Sequence, residues 1–283
     1  MKRMLKRALW LGLVMMPVSA YSWGPVGHML VANIAYQKLN PEVRGKVDQL
    51  VSYLHTEYPS MAQFTQVAIW PDTLGSQKII SYQHWHYIDV PLSGDGTSLA
   101  GKDLIDDDNA VWALNSIQGV VKNEKKGNPY ERARFLSFLV HIVGDLHQPL
   151  HTVSYVSEKH PDGDRGGNDY HVRYAGSKTQ LHHVWDTGVG AFNNDTSPAN
   201  IAALTDRLTS RYPESYFGNE KLEDIKPENW TKEGMANAKE YVYITTEDKE
   251  LSSQYVQNGQ RLADQQVTLA GYRLARMLNT LLS

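Results

Sequence analysis

The chain has 283 residues, 28 of them basic and 31 acidic, with a formal charge of −3 and no cysteine. That balance argues against a protein that grips nucleic acid through a broadly basic face. The missing thiols exclude disulfide staples and cysteine-ligated metal.

The opening stretch carries Lys2, Arg3, Lys6 and Arg7, then a short apolar run at 8–16, then small Ala20 and Ser22. This order predicts a secretory signal peptide at 1–22, cut after Ser22, with an apolar run too short to span a membrane. The protein is therefore expected in the periplasm or outside the cell. The remaining residues, 23–283, carry a formal charge of −7, and their number suits one large domain.

Cleavage would make Trp23 the amino terminus, ahead of His28 in WGPVGH. A free α-amine and its own carbonyl oxygen can chelate a cation in a five-membered ring, because an amine with a pKa of about 8 yields its proton to metal. A hydrophobic plug is the plainer reading of the tryptophan. From His28 a helical pattern runs through HMLVANIAYQKL, and Asn40-Pro41 predicts the start of a second helix. Asp72 follows Trp70-Pro71 at a helix end or turn. In YQHWHYIDVP, the alternation of His84, His86 and Ile88 predicts an extended segment that points His86 one way. Residues 93–108 read as a polar loop. Its Asp106, Asp107 and Asp108 suit the start of the helix that places Val111, Leu114, Ile117 and Val121 at helical spacing.

The helical run ERARFLSFLV leads into HIVGDLHQPLH. His141 and Asp145 stand one turn apart on one face, an imidazole and a carboxylate at a spacing that suits zinc and also serves surface pairs. Pro149 ends this helix and leaves His151 beyond the break. In the following loop, Gly166 and Gly167 permit close backbone approach to a ligand, and DYHVRYAG predicts one short strand. TQLHHVWD then repeats the pincer with His182 and Asp186, while His183, turned about 100° around the helix, falls outside it. Ser197-Pro198 and Pro227 predict further helix starts, and 251–281 carries an apolar stripe that reads as core. The whole reads as one mainly α domain with little strand.

The motifs WGPVGH, WPD, HWHYIDVP, HIVGDLHQPLH, GGN, LHHVWD and LAGYRLARMLN make the chain resemble the S1/P1 nuclease family of zinc-dependent endonucleases, related in fold to the bacterial zinc phospholipases C. The resemblance implies a mainly α, single-domain multi-helix bundle of the phospholipase C/P1 nuclease type with a short β segment. It implies three Zn2+. One would be held by Asp72, His86, His141 and Asp145. A second, close by, would be held by the amine and carbonyl of Trp23, by His28 and by a bridging Asp145. The third would be held by His151, His182 and Asp186. Asp72 and Asp145 would be catalytic through the metals they hold.

The resemblance further implies a monomer that cleaves single-stranded DNA and RNA to 5′-phosphate products and also acts on 3′-nucleotides. Tyr87 and Asp89, with Gly166 and Asn168 beside them, would hold the base, with core packing as the alternative role for Tyr87. The sequence departs from the family at Gly75, where an arginine often follows the WPD aspartate by three positions. Arg165 is a candidate substitute.

The ligand set carries its own argument. A site without thiolates and with open coordination positions suits catalytic zinc, and its charge would attract phosphate to an otherwise acidic protein. Two other readings compete. A zinc phospholipase C acting on choline lipids would want a choline-friendly entrance in place of Tyr87 and Asp89, and tends to end the last pincer in glutamate instead of an aspartate like Asp186. An exported zinc-sequestering protein would hold the metal without catalysis.

Overall fold

The computed structural model describes residues 23–122, 124 and 126–283, so the signal peptide expected at 1–22 lies outside the described residues. Proline repeatedly marks where helices begin. It occupies one of the first two positions of α1 (Pro25–Gln37), α2 (Pro41–Glu57), α4 (Trp70–Ser76), α6 (Pro129–Asp145), α8 (Pro198–Arg211) and α11 (Pro227–Asn237), where its missing N–H would have had no helical partner. The intervening helices are α3 (Phe64–Val67), α5 (Ala110–Lys122), α7 (Leu181–Asp186), α9 (Glu214–Phe217) and α10 (Asn219–Glu223), and α12 (Ser253–Leu282) closes the chain. Side-chain caps secure the longer ones. Asn128 accepts from the Tyr130 amide at the start of α6, Ser197 from the Asn200 amide at α8, and Ser252 from the Tyr255 amide at α12.

The main core lies between α1, α2, α5, α6 and α12. α6 is buried at every residue from Leu136 to Asp145, so an ordinary amphipathic stripe gives way to burial on all sides. α12 approaches α1 very closely. A Cβ on Gly271 would stand 2.6 Å from Ile34 Cβ, so only glycine fits there.

Among the described residues, strand is confined to two small sheets. β1 (Val90–Ser93) runs parallel to β2 (Val153–Val156), pairing Val90 with Val153. That pairing lays the segment after Tyr87 against the segment after His151, and the Ile88 amide donates to the His151 carbonyl at 2.8 Å. β3 (His171–Tyr174) and β4 (Ser177–Gln180) form an antiparallel hairpin turned by Ala175 and Gly176, both with positive φ. A second apolar cluster that includes Leu150, Val172, Trp185 and Tyr255 packs beneath it. The architecture is mainly α, as expected, and no helix among the described residues is long and apolar enough to cross a membrane.

Three local expectations change. The stretch from Gln83 to His86 is a 3-10 turn, and the chain becomes extended only at Tyr87 (φ −147°, ψ 167°). The α5 cap is Asn109, whose Oδ1 accepts from the Val111 and Trp112 amides. Asp108 instead pairs with His84 at 2.9 Å. DYHVRYAG supplies one strand of a hairpin whose second strand, SKTQ, is too polar to show apolar alternation.

Candidate metal centre

His141 and Asp145 project from the last turn of α6 and are wholly buried. The His141 Nδ1 donates to the Ala68 carbonyl at 2.7 Å. Because a carbonyl can only accept, this fixes the tautomer and turns Nε2 into the site. That Nε2 lies 3.3 Å from Asp72 Oδ1, 3.4 Å from Asp145 Oδ2 and 2.9 Å from His86 Nδ1. Asp72 reaches this point from the first turn of α4, and His86 from the 3-10 turn.

Asp145 divides its two oxygens. Oδ2 stands 3.1 Å from His86 Nδ1, while Oδ1 faces His28 Nε2 at 3.3 Å. His28 comes from α1, and it fits only because residue 144 is glycine, where a Cβ would stand 2.8 Å from the His28 ring. Both ring nitrogens of His28, Asp72 Oδ2 and Asp145 Oδ1 are buried without a hydrogen-bond partner. Unpartnered buried polar atoms are costly and rare, and here they converge from three elements.

A second group forms beyond Pro149, which begins a 3-10 turn (Pro149–His151). His151 Nδ1 donates to the His86 carbonyl and His182 Nδ1 to the Gly166 carbonyl, each at 2.6 Å. Their Nε2 atoms therefore face each other at 3.1 Å, with Asp186 Oδ1 3.4 Å from His182 Nε2. Two neutral imidazoles cannot both direct lone pairs at that separation without a cation or proton between them. Gln148 donates to Asp186 Oδ1 at 3.0 Å and accepts from the Leu150 amide, bracing both parts of the group.

Three sets of potential ligands thus come within coordinating distance of one another: His28, Asp72 and His141; His86, His141 and Asp145; and His151, His182 and Asp186. The first set joins His28 to Asp72 and His141, whereas the sequence reading joined it to Asp145; the Asp145 Oδ1 contact serves that second pairing as well. Burial and neighbouring histidines hold His28 well below its ordinary pKa. Burial and His182 do the same to His151. Burial lifts Asp186 well above the usual carboxylate range. On His141 burial pulls the pKa down, but Asp145 and Asp72 outweigh it and raise it to about 9. A site that keeps His28 and His151 neutral, Asp186 short of charge and a proton on His141 is one in which a divalent cation would replace protons.

Trp23 is fully buried, edge-on to Phe192 with ring centroids 5.9 Å apart. Its neighbour Gly24 donates its amide to the Asp186 carbonyl at 2.8 Å, and Gly27 leaves no room for a Cβ against the Trp23 side chain. The plug reading and the ligand reading of Trp23 are therefore compatible, since the side chain is core while its backbone is tied to a residue of the second group.

All three sets open on one cleft of about 1170 Å³, solvent included, lined by Asp72, His86, His151 and His182 and also by Tyr87, Asp89, Arg165 and Asn168. Gly166 stands behind the lining. Its carbonyl holds His182, its φ is 60°, and a Cβ there would run into the Leu150 carbonyl. Burial, Asp164 and Asp106 raise the Asp89 carboxyl to about 7, and burial with Asp89 raises Tyr87 to about 12. Arg165 lines the cleft but its guanidinium is held by both oxygens of Asp169 at 2.8 Å. His183 is exposed, as its helical angle predicts.

A family model described as S1/P1 Nuclease matches residues 23–283. The chain belongs to the S1/P1 nuclease family. Among its relatives, Nuclease S1 of Aspergillus oryzae is 28% identical over 282 residues, covering 93% of each chain. Endonuclease 2 of Arabidopsis thaliana is 26% identical over 287 residues, 92% of this chain and 90% of that one. Nuclease P1 of Penicillium citrinum is 26% identical over 171 residues, 58% of this chain and 57% of that one. Membership in the S1/P1 nuclease family makes this a hydrolytic, metal-dependent nuclease and does not favour the phospholipase C reading.

The S1/P1 nuclease chain also holds residues that the sequence reading passed over. Gln148 braces Asp186, and Gly144 admits His28. A signal for Gly144 was present, because glycine inside a long helix costs about 1 kcal/mol against alanine and so needs a packing reason.

Proposed function

We propose that this protein is an exported zinc phosphodiesterase that cleaves single-stranded DNA and RNA to 5′-phosphate products and removes phosphate from 3′-nucleotides. The observation that carries this reading is the division of Asp145, one oxygen toward His28 and the other toward His86 and His141. A carboxylate so placed can serve two cations at once. Asp72, His86, His141 and Asp145 would hold one zinc. Trp23 through its amine and carbonyl, His28 and Asp145 would hold its neighbour, and His151, His182 and Asp186 the third. The fit rests on the unpartnered buried atoms of His28, Asp72 and Asp145 and, for the third ion, on the Nε2 atoms of His151 and His182 that face each other at 3.1 Å. Zinc bound there would polarise the phosphate, activate water and stabilise the leaving oxygen. Catalysis is assigned to Asp72 and Asp145 through their ligation of that pair.

The protein's own residues supply the rest. Tyr87 offers a ring face for a base, and stacking accepts any base with about 1–3 kcal/mol each. Asp89, titrating at about 7, can donate as well as accept at a base edge near neutrality. Asn168, whose side-chain amide is anchored on the Arg165 carbonyl, borders the same place. A duplex conceals its base faces, so this wall favours single strands.

The mature domain is taken to be 23–283, released from a signal peptide at 1–22, a boundary supported by a family match that begins at Trp23, and to act as a monomer. The test is an assay of the protein beginning at Trp23 on single-stranded DNA, RNA and 3′-AMP, with and without a chelator. Chelator-sensitive cleavage of all three is expected. Tight zinc binding without release of nucleotide or phosphate would leave the sequestering protein as the better account.

A further inference from the structure

The cleft has a second wall, built from α4 and the turn that ends it. The α4 helix stops in a tight C-terminal motif. The Lys78 amide donates to the Gly75 carbonyl and the Ile79 amide to the Leu74 carbonyl, both at 2.9 Å, with Lys78 at φ 63°. That pair of bonds is the Schellman arrangement, which brings the residue after the left-handed position onto the residue five before it. Here those residues are Ile79 and Leu74, and both line the cleft. Leu74 is buried, Ile79 is 42% exposed and Ile80 is 68% exposed.

The motif normally takes glycine at its left-handed position. Lysine there accepts a backbone conformation that side chains disfavour, so the turn is held by its surroundings. It presents two isoleucines to water inside a concavity, where exposed apolar surface marks a ligand contact more often than chance. This wall adjoins Asp72, whereas Tyr87, Asp89 and Asn168 share their part of the cleft with the loop that holds His182.

We propose that Leu74, Ile79 and Ile80 form the subsite for the nucleoside on the 5′-phosphate side of the scissile bond. The inference rests on the proposed function, since a phosphodiester held at the metal groups with its 3′ nucleoside on Tyr87 must send its other nucleoside along the cleft. The wall beside Asp72 lines that same cleft. Gly75, standing where the family often has arginine, adds no charge to it. Contact is by shape and aliphatic surface, with Tyr82 and Gln83 at its border, so the subsite accepts any base. A 3′-nucleotide ends at its phosphate and does not reach this wall, whereas a 5′-nucleotide product occupies it.

The test compares the wild type with the double variant Ile79→Ser/Ile80→Ser and with Ile80→Tyr, all zinc-loaded. The dissociation constant of 5′-AMP is measured by calorimetry, and 3′-AMP, which the protein is proposed to hydrolyse, is compared through the KM for its dephosphorylation. The serine pair is expected to weaken 5′-AMP about tenfold, in line with the loss of a modest apolar contact, and to leave 3′-AMP within about twofold. Ile80→Tyr should tighten 5′-AMP by offering a ring face. Equal weakening of both nucleotides, or no change in 5′-AMP, overturns the subsite. A wild type that cleaves no oligonucleotide would instead sink the proposed function, and the 5′-AMP comparison would still report on the wall.

Discussion

The imidazoles of His28 and His141 lie face to face, with centroids 3.8 Å apart and planes 12° apart. Both are wholly buried, yet they titrate in opposite directions, because Asp145 and Asp72 overcome the burial of His141 while nothing overcomes that of His28. Metal-free protein should therefore lose stability on both sides of about pH 6.5, the ordinary histidine value. His28 and His151 fold as neutral rings with depressed pKa values. Their contribution is complete above about pH 6.5 and is lost as the pH falls, because the unfolded chain then takes up protons that the fold refuses. His141, raised to about 9, contributes fully below about 6.5, and that contribution is lost as the pH rises through 9. Zinc bound there would replace the His141 proton and should abolish the alkaline loss. Melting temperatures of chelator-treated and zinc-loaded protein from pH 5 to 9 check this. A metal-free melting temperature that stays flat over that range would contradict it.

Gly144→Ala should separate stability from activity. Alanine suits a helix interior better than glycine by about 1 kcal/mol, but its Cβ would press on His28 Nδ1 at 2.8 Å. The ring cannot retreat, since His141 stacks on it. The expected variant folds with a melting temperature within a few degrees of wild type, binds less zinc and turns over at least about tenfold more slowly. Zinc content by elemental analysis, alongside kcat/KM, is the check, and unaltered values would mean that His28 has room to move.

Tyr87→Ala should weaken single-strand binding by about 1–3 kcal/mol and leave zinc content unchanged. The local backbone should persist, because the Tyr87 carbonyl accepts from the Ala110 amide whatever the side chain. An unchanged KM for oligonucleotides in the folded variant would assign the ring to packing.

A residue retained before Trp23 turns the α-amine into an amide, a poor zinc ligand. The extended protein is expected to bind fewer zinc ions and to turn over much more slowly than the form beginning at Trp23. Equal zinc stoichiometry and equal turnover in the two forms would remove the amine from the ligand set.

The helices were legible where proline followed a capping residue type, as at Asn40-Pro41 and Ser197-Pro198, and from proline itself at Pro227. The His-x-x-x-Asp pincers were legible because one helical turn places both side chains on one face. The 3-10 turn at His86 was not, since a four-residue stretch with histidines two apart is compatible with strand and turn alike. The apolar wall beside Asp72 was equally hidden. It depends on Lys78 adopting a left-handed conformation that composition would assign to glycine. The division of Asp145 between two sets of partners came from how α1 meets α6, a relation between distant segments that no local pattern carries.

The close seat of α12 on α1 has a consequence in time. Ile34 and Gly271 touch across 237 positions of sequence. During synthesis α1 leaves the ribosome more than two hundred residues ahead of α12, and its apolar face stays uncovered until α12 follows. Contacts of such long range also form slowly after release. His28 rides on α1, so its place against Asp145 is secured late. A nuclease assembled in that order completes its site only once α12 has docked on α1.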